Sequence, residues 1–242
     1  MTQRSILCLL LAGSLAALAT GCNAPGKPRL GAEEQVRPEQ QLEFATLYKQ
    51  NCAACHGANG QLAAAISLNN PTYLAIAGEA NITHAISAGI PGTLMPAFGK
   101  AAGGMLTDQQ VGVIAHGIVS EWGKPLPAGS PAPPPYAATL TGDATKGEQA
   151  FNTFCASCHG AGGMGKGHTG PIVDPAYLAL VNDQFLRSNI LAGKPESGMP
   201  DWSQHTVSGA KQIMTDAEVT DIVAWIASHR IATPGQPYQQ HQ

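Results

Sequence analysis

Cys155-Ala156-Ser157-Cys158-His159 is preceded, 103 residues earlier, by the nearly identical Cys52-Ala53-Ala54-Cys55-His56. C-x-x-C-H is the pattern of covalent c-type haem attachment: two thiols one helical turn apart reach the two vinyl groups of a haem edge, and the adjacent imidazole faces the iron. A bare C-x-x-C also serves redox dithiols and half zinc sites. A redox dithiol belongs beside a βαβ pattern, and the sequence has none. Zinc needs a second Cys or His pair at ligand spacing from each motif. The histidine in both copies, with a methionine downstream of each, points to two covalently bound haem c groups and their iron.

Outward from these motifs the chain repeats itself. Residues 42–51 place Leu42, Ala45 and Leu47 with the aromatics Phe44 and Tyr48, which predicts a short amphipathic helix running into Cys52. Residues 146–153 predict the same before Cys155, with Phe151 and Phe154. Gly57-Ala58-Asn59-Gly60 and Gly160-Ala161-Gly162-Gly163 follow as loops that let backbone pass close to a flat ligand. Asn70-Pro71-Thr72-Tyr73-Leu74 matches Asp174-Pro175-Ala176-Tyr177-Leu178 at an offset of 104. At the same offset residues 86–98 match 190–202, sharing Gly89/Gly193, Pro91/Pro195, Met95/Met199 and Pro96/Pro200. Leu106-Thr107-Asp108 and Met214-Thr215-Asp216 each open a last helix, with Thr or Asp as N-cap. The offset there is 108, which places a small insertion around residues 208–212.

Such order implies two homologous domains, at 41–122 and 142–232, with 233–242 as a tail. Between them, 123–141 carries prolines at 125, 127, 131, 133, 134 and 135. That composition fits a polyproline II spacer of about 3.1 Å per residue, or a loop packed across a domain surface. Either is a boundary.

Met95 lies 39 residues after His56 and Met199 lies 40 after His159; each precedes a Pro and then an aromatic, Phe98 or Trp202. A lone methionine is more often core filler. A matched pair fixed by prolines points instead to the second axial ligand of each iron. Met105 and Met164 sit in Gly-rich loops, and Met214 reads as the apolar residue before a helix. His84, His116, His168, His205 and His229 have no counterpart in the other copy and are expected at surface or cap positions. His168 lies close after the second motif in a Gly-rich loop, which sets it apart from the others.

C-x-x-C-H, a methionine about 40 residues on and a closing helix resemble class I cytochrome c, here as a tandem diheme protein over about residues 42–122 and 143–231. The resemblance implies an all-α fold of two small domains, each wrapped around its haem, with first and last helices crossing. In the family a glycine of the first helix permits that crossing against an aromatic of the last; Gly147 and Trp225 fit. In the first copy Phe44 stands where Gly147 does and Gly117 where Trp225 does, which predicts a size swap across one interface. Gly170-Pro171 resembles the haem-facing Gly-Pro of the family. The first copy has Ile66-Ser67 there, so the carbonyl orienting His56 is expected from a different residue.

Ahead of the repeat, Arg4 and an uncharged, largely apolar run over residues 6–19 suit a signal peptide, being short for a membrane span of about 20 residues. Leu18-Ala19-Thr20-Gly21-Cys22 resembles the bacterial lipoprotein signal, although Ala19 replaces the usual leucine. Residues 1–21 are therefore expected to be removed, Cys22 lipidated, and 22–40 left as a flexible tether. With Cys8 in the leader, all six cysteines are assigned and no disulfide is expected. A net charge of −3 without a basic stripe argues against nucleic acid as partner.

An iron closed by His and Met offers no open position to substrate, which suits one-electron transfer. No Ser/His/Asp array, phosphate loop or paired carboxylate site is present in the sequence. The expectation is a carrier passing single electrons between respiratory redox partners outside the cytoplasmic membrane, tethered by lipid on Cys22. Residues 42–122 carry two bases and four acids, and 143–231 six bases and nine acids, so a partner with a basic docking patch is expected. Two alternatives remain: a diheme enzyme of peroxidase or thiosulfate-oxidising type that loses a distal ligand, and an electron-accepting subunit of a dehydrogenase or terminal oxidase.

Overall fold

The computed structural model describes residues 36–61 and 65–232; the expected leader, Cys22 and the 233–242 tail lie outside the described residues. Contacts group Gln41–Gln242 as one unit, distinct from Met1–Gln40, whose described part carries a 3-10 turn at Pro38–Gln40. The fold is mostly helical. Its first half holds α1 (Phe44–Asn51), α2 (Ala53–His56), α3 (Pro71–Ala88) and α4 (Asp108–Trp122). Its second half holds α5 (Ala144–Phe154), α6 (Ala156–His159), α7 (Pro175–Leu178) and α8 (Asp183–Ala192), a hairpin of β1 (His205–Val207) and β2 (Ala210–Gln212), and α9 (Asp216–Ala227). Gly78, at φ 69°, breaks α3 in two where the second half separates α7 from α8.

Local sequence explains the starts. Glu43, Asn70, Asp143, Asp174 and Asn182 each accept backbone N–H groups of the helix they precede. Thr107 with Gln110, and Thr215 with Glu218, form complete capping boxes on α4 and α9. Pro71 and Pro175 occupy the first turn, where a missing N–H costs nothing. The insertion expected near 208–212 is the β1–β2 hairpin. Its turn, Ser208-Gly209, has φ of 51° and 81°, the left-handed pair that a two-residue type I′ turn needs.

Each half buries its own core, one around Leu47, Tyr48, Ile114 and Ile118, the other around Phe151, Leu191, Trp202 and Ile222. The crossing of first and last helices differs between them. A Cβ on Gly147 of α5 would lie 1.9 Å from the Asp221 carbonyl oxygen and 2.8 Å from Trp225 Cβ of α9, so the two backbones nearly touch. In the first half the predicted swap is present: a Cβ on Gly117 of α4 would lie 2.2 Å from Phe44 Cδ2 of α1. There a ring fills the notch that glycine leaves.

Of the two readings of 123–141, packing against the domains is the one observed. Leu126 lies against the second core and Tyr136 against the first. Arg187 of α8, 2 % exposed, donates to the Pro135 carbonyl through Nη2 (2.8 Å) and to the Tyr136 carbonyl through Nε (3.1 Å). It also donates to Thr220 Oγ1 (3.0 Å) and pairs with Asp216. Carbonyls left without N–H partners by the prolines thus find a buried guanidinium. The halves also touch through α3 and α8: Ala192 joins the first core and Ile76 lies on the second.

Candidate haem sites

The two C-x-x-C-H turns adopt one conformation. Cys52 (φ −119°, ψ −36°) and Cys155 (φ −116°, ψ −35°) end one helix and begin the next. Cys55 and Cys158 donate their N–H to the carbonyls of Cys52 and Cys155 (both 3.1 Å), which sets each thiol pair one turn apart. The histidine N–H groups bond to the same carbonyls, at 3.0 and 2.9 Å. Gly57 and Gly160 then reverse the chain at φ 82° and 78°. A Cβ on them would lie 2.0 and 2.4 Å from the carbonyl oxygens of Gln61 and Gly165, so each turn demands glycine twice over.

No disulfide joins the four cysteines of the two motifs. Burial, seconded by the neighbouring cysteine, pushes the Cys52 thiol up to about 11 and the Cys155 thiol to about 12. Among the described residues no three His, Cys, Asp or Glu side chains are grouped to share a metal ion, so the zinc reading has no ligand set there.

Both histidines are held neutral by burial, below the usual histidine range. His56 Nδ1 lies 2.9 Å from the Ile66 carbonyl oxygen. A carbonyl only accepts, so Nδ1 carries the proton and Nε2 keeps its lone pair, the form an iron ligand requires. The orienting carbonyl therefore comes from Ile66, within the pair that replaces Gly-Pro. In the second domain the expected Gly170-Pro171 carbonyl does not fill this place: His159 Nδ1 is buried with no hydrogen-bond partner.

A tryptophan from the last helix covers each loop. A Cβ on Gly60 would lie 2.7 Å from Trp122 Cζ3, and one on Gly163 would lie 3.4 Å from Trp225 Cη2. Repeat alignment puts Gly117, not Trp122, opposite Trp225. Trp122 reaches the loop from five residues further on and meets Tyr48 edge-on at 5.0 Å. An aromatic ending the last helix was the available signal for it.

Both methionines sit in matched loops. Ile90 N–H donates to the Met95 carbonyl (3.0 Å), and Lys194 N–H to the Met199 carbonyl (2.9 Å). The glycines ending the preceding helices, Gly89 (φ 71°) and Gly193 (φ 66°), support them. A Cβ there would lie 2.9 Å from the Met95 carbonyl oxygen and 2.7 Å from that of Met199. Met95 packs on the first core, and Met199 is half-buried. Met214 is 1 % exposed ahead of α9, as a core residue should be, whereas Met105 and Met164 are 83 % and 69 % exposed. His84, His116 and His168 are exposed, and His229 bonds the Trp225 carbonyl at 2.9 Å near the end of α9. His205 departs from its expected surface position. The hairpin folds it under, edge-on to Phe154, with Nε2 buried and unpartnered.

Paired thiols, a buried neutral imidazole and a thioether loop, given twice among close glycine contacts, fit haem c, and at His56 the Nε2 lone pair is free as well. The fold and sites define a c-type cytochrome with two haem domains. The family model "Cytochrome c" matches residues 144–230, and "Cytochrome C oxidase, cbb3-type, subunit III" matches 39–116. The cbb3-type cytochrome c oxidase subunit CcoP of Azospirillum sp. (strain B510) is 34% identical over 175 residues, 65% of this chain and 54% of that protein. The cytochrome bc1 complex cytochrome c subunit of Corynebacterium diphtheriae is 28% identical over 247 residues, 93% of this chain and 81% of that protein. Its Mycobacterium tuberculosis namesake is 26% identical over 226 residues, 91% and 73% of the two chains. This chain spans about half the length of the CcoP relatives. A chain of the Kuenenia stuttgartiensis reducing HAO-like protein complex superposes with TM-score 0.45 at 16% identity, covering 81% of this chain and 98% of that one. The protein belongs to the class I c-type cytochromes, with two cytochrome c domains in tandem and a covalently bound haem c for each.

Proposed function

We propose that the protein relays single electrons between respiratory redox partners outside the cytoplasmic membrane. Cys52, Cys55 and His56 would attach one haem and Cys155, Cys158 and His159 the other, and Met95 and Met199 would hold their irons from the far side. The domain limits are 41–122 and 142–232. The haem iron supplies one-electron cycling between Fe(II) and Fe(III). The chain's part is to keep the imidazoles neutral, hold the methionine loops against Gly89 and Gly193, and exclude water with Trp122 and Trp225. Little rearrangement then accompanies each electron. The observation carrying this reading is the doubled frame itself, a C-x-x-C-H turn and a pinned Met-Pro loop in each domain.

Lipid on Cys22 would tether the protein to a membrane; no described helix is long and apolar enough to cross one. Both domains are acidic, which suits partners with basic docking patches. Relatives that are subunits of an oxidase and of a bc1 complex favour a second reading, a permanent electron-entry subunit of such an assembly. Stoichiometric co-purification with a larger complex selects that reading over a free carrier.

The relay is tested by the visible spectrum of the reduced holoprotein before and after carbon monoxide. An unchanged spectrum is expected, because both irons are closed by methionine. A shift in half or all of the haem absorbance overturns the relay and brings forward a diheme enzyme of peroxidase or thiosulfate-oxidising type.

A further inference from the structure

Asn70 and Asn182 each act in both domains. Asn70 accepts the Tyr73 N–H on Oδ1 (3.1 Å), capping α3, and donates through Nδ2 to the Ala192 and Gly193 carbonyls (3.1 and 3.3 Å). Asn182 accepts the Phe185 N–H (2.9 Å), capping α8, and donates through Nδ2 to the Pro91 carbonyl (3.1 Å). A backbone N–H on one side and a carbonyl on the other fix which way each amide points.

Both receiving residues adjoin the rung that closes a methionine loop. Gly193 precedes Lys194, which bonds the Met199 carbonyl, and Pro91 follows Ile90, which bonds the Met95 carbonyl. Gly193 is also where the Met199-Pro200 backbone rests. The two asparagines are not counterparts in the repeat. Asp174 occupies the place of Asn70, and Gly78 that of Asn182. Asp174 caps α7 at 2.9 Å from the Tyr177 N–H but has no amide to donate. Capping at position 70 is therefore open to Asp; reaching the other domain is not.

We propose that Asn70 and Asn182 form a reciprocal latch, in which each domain holds the loop bearing the other domain's distal methionine. The proposal rests on Met95 and Met199 being the distal ligands. Retention of methionine at one iron then depends on the asparagine of the other domain. Asn70 is 3 % exposed and its bonds are shielded from water, so it is the stronger half of the latch.

The test uses the ferric holoprotein and its sulfur-to-iron charge-transfer band. Met95→Ala and Met199→Ala are each expected to remove half of that band, which assigns the haems. Imidazole is then titrated to displace methionine at each. Asn70→Asp keeps the cap and loses the donor. It is expected to lower the imidazole concentration needed at the Met199 haem roughly tenfold and leave the Met95 haem within about twofold. Asn182→Asp is expected to do the converse, roughly threefold. Asn70→Ser, a neutral cap too short to reach α8, repeats the first result without a new charge. An effect confined to the asparagine's own domain, equal in both, or absent overturns the latch. A band intact in both Met→Ala variants overturns the ligand assignment, and the latch with it.

Discussion

The two domains build one crossing from opposite materials. In the second, Gly147 brings α5 against the backbone of α9, and what lies nearest is the fixed Asp221 carbonyl. In the first, the glycine is on α4 and the neighbour is the half-buried Phe44 ring, which rests also on Trp122 at 5.9 Å. A rigid contact and a movable one can close the same fold, but they tolerate change differently. The proximal histidines differ too: His56 Nδ1 donates to the Ile66 carbonyl, whereas His159 Nδ1 has no partner. What repeats is the frame that meets the haem; what varies is the support behind it.

Gly147→Ala breaks the comparison hardest. Its methyl meets backbone that cannot move without parting the helices, so a loss of about 3 kcal/mol or more is expected in denaturant unfolding. Gly117→Ala is expected to cost about 1–2 kcal/mol, since the Phe44 ring can swing and alanine favours the helix. Phe44→Ala combined with Gly117→Ala should be less destabilising than the sum of the two changes, and additivity would remove the swap.

Arg187→Met comes next. The guanidinium holds Pro135 and Tyr136 to α8, seconded by Gln184, whose Nε2 donates to the Tyr136 carbonyl at 2.9 Å, and Asp216 is partly open to water, so a loss of about 2–3 kcal/mol is expected. Proteolysis within residues 123–141 should accelerate with it. Gly89→Ala and Gly193→Ala strain a left-handed backbone and press on Met-Pro. Each is expected to cost about 1–2 kcal/mol and to weaken the sulfur–iron band of its own domain alone.

The smallest effect is on pH. Burial lowers the His205 pKa from its ordinary 6.5, against the opposing pulls of the Phe154 carbonyl and Asp201. The unfolded chain thus takes up this proton first as pH falls. Stability from neutral His205 is present above pH 6.5 and declines below it, until the folded protein protonates too. His205→Phe should flatten that decline in unfolding experiments on the holoprotein across this range.

Much of this was legible in the chain. The haem turns, methionine loops and capped last helices rest on short local patterns, and the repeat showed each twice. The Phe44–Gly117 swap was readable because one aligned pair exchanged a large residue for a small one. Carbonyl partners leave no mark in side-chain patterns, so Ile66 in place of a Gly-Pro carbonyl, and the missing partner of His159 Nδ1, were not. Nor was the packing of 123–141. Composition favours an extended chain there, and a buried arginine, isolated among Phe185, Leu186 and Ile190, holds it to α8 together with Gln184. His205 lacked a counterpart because it belongs to the inserted hairpin, whose fold alone buries it.

The proposal that both irons take a His/Met pair, with different support behind the two histidines, is decided by potentiometric titration of the haem absorbance, with Met95→Ala and Met199→Ala assigning the steps. The Ile66 carbonyl draws on the His56 Nδ1 proton and makes that imidazole the more basic ligand, which favours Fe(III). Two one-electron steps are predicted, the lower belonging to the His56 haem. A single step shared by both haems, or the lower step at the His159 haem, would contradict it.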